Sequence, residues 1–228
     1  MIARIAASAV RLLTGANSRW VGCQPSDAQR VYFANHTSNL DFVLLWAALP
    51  AECRAKTRPV AANDYWTSSQ LRLYLAKQIF NAVLVERKRV TRTNNPLQAM
   101  LDALCEGSSL IIFPEGGRQE DKPGEFKAGI YHLAKAQPHL EFIPVYIENL
   151  NRVLPKGEVL PVPILCSLYF GAPVRLMDGE QKSAFLARAR DAILNLAPSD
   201  ARVLASRAHS NERSNGPDQT DVASGATV

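Results

Sequence analysis

Residues 34–49 read ANHTSNLDFVLLWAAL, with His36 and Asp41 five positions apart at the start of an apolar run. Imidazole titrates near neutrality and can take a proton from a weakly acidic hydroxyl. A carboxylate held against its other ring nitrogen fixes the tautomer and steadies the positive charge that develops. The stretch also has a purely structural explanation. Ser38, followed three residues later by Asp41 just ahead of apolar sequence, has the form of a capping box, in which the carboxylate does no more than satisfy backbone amides at a helix start. Five residues on a regular helix are about 140° apart, so the pair meets only if His36 lies on the preceding loop and folds back toward the first turn. Taken alone, these residues leave both readings open.

Two further polar segments carry groups suited to anions. ERKRVTR, residues 86–92, presents Arg87 as a bidentate fork for phosphate, with Lys88, Arg89 and Arg92 adding positive field. A solvated basic loop is the ordinary fate of such a run. FPEGGR, residues 113–118, brings Glu115, Gly116, Gly117 and Arg118 together after an apolar stretch. Its glycines serve either a type II turn or the close approach of backbone amides to an anionic or oxyanionic group.

These segments need a frame. RVYFAN (30–35), RPVAAN (58–63), NAVLVER (81–87), SLIIF (109–113), EFIPVYI (141–147) and ILCSLYFG (164–171) are β-branched or aromatic runs and read as strands. Helical patterns cover 39–49, 68–78, 128–136 and 183–196. The best-marked helix follows Asn95 as cap, with Pro96 at its first position and Gly107 as its stop. The alternation predicts a single α/β domain with a mainly parallel central sheet flanked by helices, and places ligand sites at the carboxyl ends of the strands. Each polar segment directly follows a predicted strand, so His36, Asp41, Arg87, Glu115 and Arg118 converge on one edge. Residues 1–20 read as an amphipathic helix and link, 21–196 as the α/β domain and 197–228 as a disordered tail. In the first of these, Ile2, Ile5, Ala6, Ala9, Leu12 and Leu13 share one face while Arg4, Ser8 and Arg11 share the other. That pattern suits either docking on the core or lying on a membrane surface.

The order and context of the polar segments resemble the four sequence blocks of the glycerolipid acyltransferases, in particular the 1-acylglycerol-3-phosphate (lysophosphatidate) branch. The matching blocks are His36-Thr-Ser-Asn-Leu-Asp41, NAVLVER ending in Glu86-Arg87, FPEGGR, and Ile143-Pro144-Val145. The resemblance spans residues 30 to about 176, including FKAGIYHLAKA and FGAPV. It implies transfer of a fatty acyl group from a thioester of coenzyme A or acyl carrier protein to the free hydroxyl of a lysophospholipid, most simply 1-acylglycerol 3-phosphate giving phosphatidate. By the same matching His36 is the general base and Asp41 its orienting partner, Arg87 binds the acceptor phosphate, Glu115, Gly116 and Gly117 shape the acceptor site, and Arg118 is a further phosphate ligand. Pro144 belongs to the block associated with the acyl donor. The family usually carries Thr or Ser where Gly117 stands, a Gly where Asn81 stands and a Phe where Leu84 stands. Those departures bear on the acceptor, with glycerol 3-phosphate or a lyso-aminolipid as alternatives. A non-catalytic anionic-lipid-binding domain is the alternative from another class.

Composition narrows the partners. The 228 residues carry a formal charge of +5, which favours an anionic membrane surface or phosphorylated substrates. The basic residues cluster in one loop with little aromatic interleaving, which argues against nucleic acid. No apolar run reaches the roughly 20 residues that span a bilayer. The four cysteines are widely spaced and form no C-x-x-C pair, so the sequence indicates no metal site, no disulfide framework and no bound cofactor. The expected setting is peripheral, on the cytoplasmic face of a membrane.

Overall fold

Three loops can meet only if the strands behind them run the same way, and the chain arranges this by burying its strands from both sides. In the computed structural model, which describes residues 2–38, 40–87, 94–117, 124–148 and 166–198, one sheet contains β1 (Asn17–Trp20), β2 (Arg30–Ala34), β3 (Thr57–Ala62), β4 (Val83–Val85), β5 (Ser109–Ile112), β6 (Glu141–Glu148) and β7 (Ser167–Phe170). Their spatial order is β1-β7-β6-β2-β5-β3-β4. The central strand β2 pairs in parallel with β6 through Val31↔Phe142 and Ala34↔Val145. On its other side it pairs in parallel with β5 through Val31↔Leu110 and Phe33↔Ile112. β5 with β3, and β3 with β4, continue the parallel set. β7 runs antiparallel to β6 and carries β1 in parallel beside it. The sheet is therefore mainly parallel, and the carboxyl ends of β2, β3, β4, β5 and β6 share one edge.

Helices cover both faces: α1 (Ile2–Thr14), α2 (Asp41–Ala48), α3 (Ala51–Lys56), α4 (Asn63–Trp66), α5 (Gln70–Tyr74), α6 (Pro96–Cys105), α7 (Gly129–Ala136) and α8 (Lys182–Leu194). Alternate residues of β2 feed two cores. Tyr32 and Ala34 pack with Ile111, Ile143 and the apolar side chains of α2, whereas Val31 and Phe33 pack with Leu110, Phe142 and residues of α6, α7 and α8. The α6 start matches its sequence signals, since the Asn95 side chain accepts the Leu97 N–H at 3.0 Å and Pro96 opens the helix. Gly107 then ends it at φ +80°.

Two elements differ from the sequence pattern. Asn17–Trp20 lies in what reads as a link, yet it is a strand in the same sheet. A four-residue edge strand with alternating exposure carries too little apolar signal to be seen. In α1 the side that docks is the small one, Ala7 with Val10 and Thr14. Leu12 and Leu13, on the apolar face of the sequence pattern, are 85% and 60% exposed, and Ile5 is 62% exposed.

The connection from β3 to β4 builds an aromatic wall. α5 passes directly into a π-helical turn, Leu75–Ile79, which delivers Phe80 between Phe42 and Trp46, edge to face at 5.1 Å from each. Trp66 closes on Phe42 at 5.1 Å. Phe80→Ala removes the ring on which the other three lean. It should cost about 3–5 kcal/mol of unfolding free energy, read from denaturant titration with an unchanged slope.

Candidate active site

His36 leaves β2 on a loop fixed from several directions. Asn35 is buried; its Nδ2 donates to the Ile147 carbonyl at 3.0 Å, and its Oδ1 accepts the Ile147 N–H at 2.8 Å. The side-chain amide thus carries the β2–β6 ladder past its last residue pair. At the end of β5, the Glu115 carboxylate accepts the His36 backbone N–H at 3.0 Å. The Phe113 ring lies against the imidazole with centroids 4.5 Å apart and planes inclined by 28°. Finally Asp41 Oδ2 lies 2.8 Å from His36 Nδ1.

Asp41 has no exposed surface. The same Oδ2 also accepts the N–H groups of Thr37 at 2.7 Å and Ser38 at 2.8 Å. Burial pushes its pKa above the ordinary 3.8, and the hydrogen bond and charge of His36, then the Ser38 and Thr37 amides, pull it back. With Asp41 as acceptor the proton of a neutral imidazole sits on Nδ1, which leaves Nε2 as the basic nitrogen. Only half of a capping box forms. The helix begins at Asp41 with Leu40 at the cap position and no side-chain cap. The Asp41 N–H goes to the Ser38 carbonyl at 3.2 Å, and Ser38 Oγ accepts from Leu40 N–H at 3.3 Å. The carboxylate does bind the Ser38 amide as a capping box requires, and the same atom orients the histidine.

Glu115 is 5% exposed. Burial raises its pKa, while the backbone amides of Gly124 and His36 lower it. Its direct contact with the site is the His36 main chain. Among the described residues, Asp41 Oδ1 and Glu115 Oε2 have no hydrogen-bond partner, so two buried carboxylates flank one histidine.

A cavity of about 480 Å³ opens beside the imidazole, within the size range of small-molecule sites. Its wall combines apolar groups such as Val60, Val85, Met100 and Ile130 with His36, Glu86, Arg87, Gly116 and Lys127. Arg87 Nη2 bonds Asp64 Oδ1 at 3.1 Å and the side chain is 45% exposed. Gly116 adopts φ +68° in the turn after β5, a conformation that glycine reaches without penalty. Asp41, Glu115 and Gly117 stand behind or beside this wall rather than on it. Pro144 is buried in β6, where its carbonyl accepts the Gly171 N–H at 2.9 Å. Arg118 lies outside the described residues, as do Lys88, Arg89 and Arg92.

Sequence reasoning assigned no role to Phe113, Trp66 or Lys127. The ring on His36 is the last apolar residue of SLIIF and differs in no local feature from a core phenylalanine. Trp66 sits on a four-residue helix with no periodic pattern.

The family model described as Acyltransferase matches residues 23–148. The chain belongs to this acyltransferase family. The chain is 31% identical over 138 residues to a 1-acyl-sn-glycerol-3-phosphate acyltransferase of Chlamydomonas reinhardtii, a match covering 59% of this chain and 38% of the relative. It is 28% identical over 116 residues to a probable 1-acyl-sn-glycerol-3-phosphate acyltransferase of Mycoplasma pneumoniae, covering 49% and 40%. The matched region thus spans about two-fifths of these curated relatives. The crystal structure of the 1-acyl-sn-glycerophosphate acyltransferase of Thermotoga maritima superposes with a TM-score of 0.68 at 19% identity, covering 90% of this chain and 79% of that one. That likeness establishes a shared fold.

A cap and an orienting carboxylate answer differently to Asp41→Asn. The raised pKa means that Asp41 holds its proton more tightly when folded. Its contribution to stability is therefore largest below the ordinary carboxylate range and declines as pH rises through the raised value. In Asp41→Asn the buried charge is relieved while a new amide N–H₂ lacks a partner, two effects that oppose one another. Stability at neutral pH should stay within about 2 kcal/mol of wild type, while turnover should fall by roughly a hundredfold or more. Melting temperature and kcat measured on the same preparation check both; unchanged kcat rules out the orienting role.

Proposed function

We propose that this acyltransferase moves a fatty acyl group from a thioester of coenzyme A or acyl carrier protein to the free hydroxyl of 1-acylglycerol 3-phosphate, giving phosphatidate. The observation that carries the reading is the His36–Asp41 pair at 2.8 Å, with its imidazole on the wall of a largely apolar cavity that also holds two cationic side chains. The names of the relatives support the choice of acceptor.

The reaction needs a base, because a lipid hydroxyl is a weak nucleophile near neutral pH. The acceptor oxygen adds to the thioester carbonyl carbon while its proton passes to His36 Nε2. Asp41, hydrogen-bonded at Nδ1, stabilises the imidazolium. Collapse of the tetrahedral adduct re-forms the carbonyl and breaks the C–S bond, and the departing thiolate takes the proton back from the imidazolium. The arrangement is the His-Asp half of a serine hydrolase triad, with the substrate hydroxyl in place of the serine. Glu115 and Asn35 hold the backbone that presents the imidazole. The apolar wall from Val60 to Leu133 suits an acyl chain, and Arg87 suits the phosphate of the acceptor.

His36→Asn keeps an N–H donor for Asp41 and removes the base. It should retain the fold and lose about 10²–10⁴-fold in transfer. The assay is release of free thiol from palmitoyl-CoA with and without lysophosphatidate, with the lipid product identified by mass. Release that needs no acceptor indicates hydrolysis instead, and a folded, fully active variant removes His36 from the base role.

The substrates of such an enzyme are membrane lipids, and no described helix is long and apolar enough to cross a membrane. Contact at the interface is the reading for α1, whose outward Ile5, Leu12 and Leu13 stand beside the exposed Arg4 and Arg11. A peripheral position follows from that reading, and the cytoplasmic face is the side we propose for it. Leu12→Asp combined with Leu13→Asp should leave the melting temperature unchanged and weaken co-sedimentation with anionic liposomes at least tenfold. Equal binding by the variant assigns the membrane contact to another surface.

A further inference from the structure

We propose that Lys127 is a second cation, in addition to Arg87, that binds the phosphomonoester of the acceptor in this cavity, a role that rests on the acyltransferase reading above. Three observations converge on it. Its backbone is anchored to the turn after β5, with Lys127 N–H donating to the Pro114 carbonyl at 2.9 Å. Its side chain lies along the next turn of that loop, so close that a Cβ on Gly116 would sit 2.6, 2.7 and 2.8 Å from Nζ, Cε and Cδ. Lys127, Gly116 and His36 all line the same cavity.

The second cation of the wall is differently placed. The Arg87 guanidinium is engaged by Asp64 at 3.1 Å, so a phosphate reaching it competes with a carboxylate already there. Lys127 is exposed and forms no ion pair with a described residue. An ammonium with no counter-ion among the described residues, its stem laid along a glycine on the wall of the cavity that His36 also lines, is a ready point charge for phosphate. Gly116 then has two duties. It supplies φ +68°, and it leaves room for the end of the lysine side chain, which a Cβ there would displace. Both glycerolipid acceptors and coenzyme A carry phosphate. The acceptor is the assigned source because its reacting hydroxyl must reach His36, which shares the wall with Lys127.

Lys127→Met keeps the stem and removes the charge, and Lys127→Arg restores a charge. Initial rates are measured with lysophosphatidate and with phosphate-free monoacylglycerol as acceptors. The donors are palmitoyl-CoA and the phosphate-free thioester of palmitate with N-acetylcysteamine. In Lys127→Met the KM for lysophosphatidate should rise about tenfold or more, with a smaller change in kcat. The ratio of kcat/KM for lysophosphatidate over monoacylglycerol should fall by the same factor, Lys127→Arg should recover part of it, and melting temperatures should match wild type. A rise in KM for palmitoyl-CoA alone assigns the phosphate to the donor and overturns the proposal, as does an equal loss on both acceptors or no loss on either. If wild-type protein acylates no lysophosphatidate, the functional reading fails separately. Lys127 is then judged by calorimetric binding of glycerol 3-phosphate: binding lost in Lys127→Met supports it, and equal binding by both proteins or none by wild type overturns it.

Discussion

The site depends on a carboxylate with no access to water. Asp41 is wholly enclosed, and an ionised group in that position is costly unless donors converge on it. Here they do so on one oxygen: two amides from the preceding loop and the imidazole itself. The loop cannot relax away from His36 without stripping donors from a buried anion, so placing the imidazole and stabilising the loop are one interaction. The helix behind it contributes as well. Asp41 is the first residue of α2, where unsatisfied amides and the helix dipole favour negative charge. At the other end of the helix the buried Arg54 donates to the carbonyls of Ala47, at 3.3 Å, and Leu49, at 3.0 Å, with its guanidinium 5.3 Å from the Trp46 ring centre. An apolar helix enclosed on nearly every side thereby has complementary charge at both termini.

The strands add a second layer of constraint. β2 lies between β5 and β6, and each neighbour sends one hydrogen-bonding group to the loop that carries His36: Glu115 from the end of β5 to the His36 amide, and the Ile147 peptide of β6 to the Asn35 side chain. The imidazole is therefore referred to three adjacent strands at once. Glu115 faces backbone amides, those of His36 and Gly124, and a carboxylate so near the imidazole is for that reason absent from the cavity wall. Its pKa is raised mainly by burial, with the Asp41 charge a smaller contributor.

Strands and helices with a strong apolar period were legible in the sequence because one side of each must be buried. β2, β5 and β6 were plain for that reason, and so was α6 with its Asn95 cap. β1 was not, since a four-residue edge strand obtains its order from pairing with β7 rather than from its own side chains. Which side of α1 packs was not legible, because the apolar face suited core and membrane equally, and close approach to α2 favours the small Ala7. Asn81 stands where the family commonly has glycine, and its φ of +48° shows what that position demands. Asparagine tolerates the left-handed region better than most residues, so the replacement preserves the turn. Of the site, His36 and Asp41 could be paired by motif. The partners that hold them, Asn35, Glu115 and Phe113, act through backbone and ring contacts between distant strands and leave no local pattern.

The two glycines of FPEGGR show why a motif residue and a constrained residue are different things. At Gly116 a side chain is opposed by a positive φ, and its Cβ would also displace the flexible end of Lys127. At Gly117 neither constraint operates: φ lies outside the left-handed region and an added Cβ would meet nothing within 4 Å. The hydroxyl-bearing residue that relatives usually carry at this point would fit without moving the backbone, so its absence is not forced by the turn. The position can vary while Glu115, Gly116 and the His36 amide stay as they are. A change confined there alters what the loop offers to a neighbouring group and leaves untouched the hydrogen bonds that hold His36, so the two are separable within six consecutive residues.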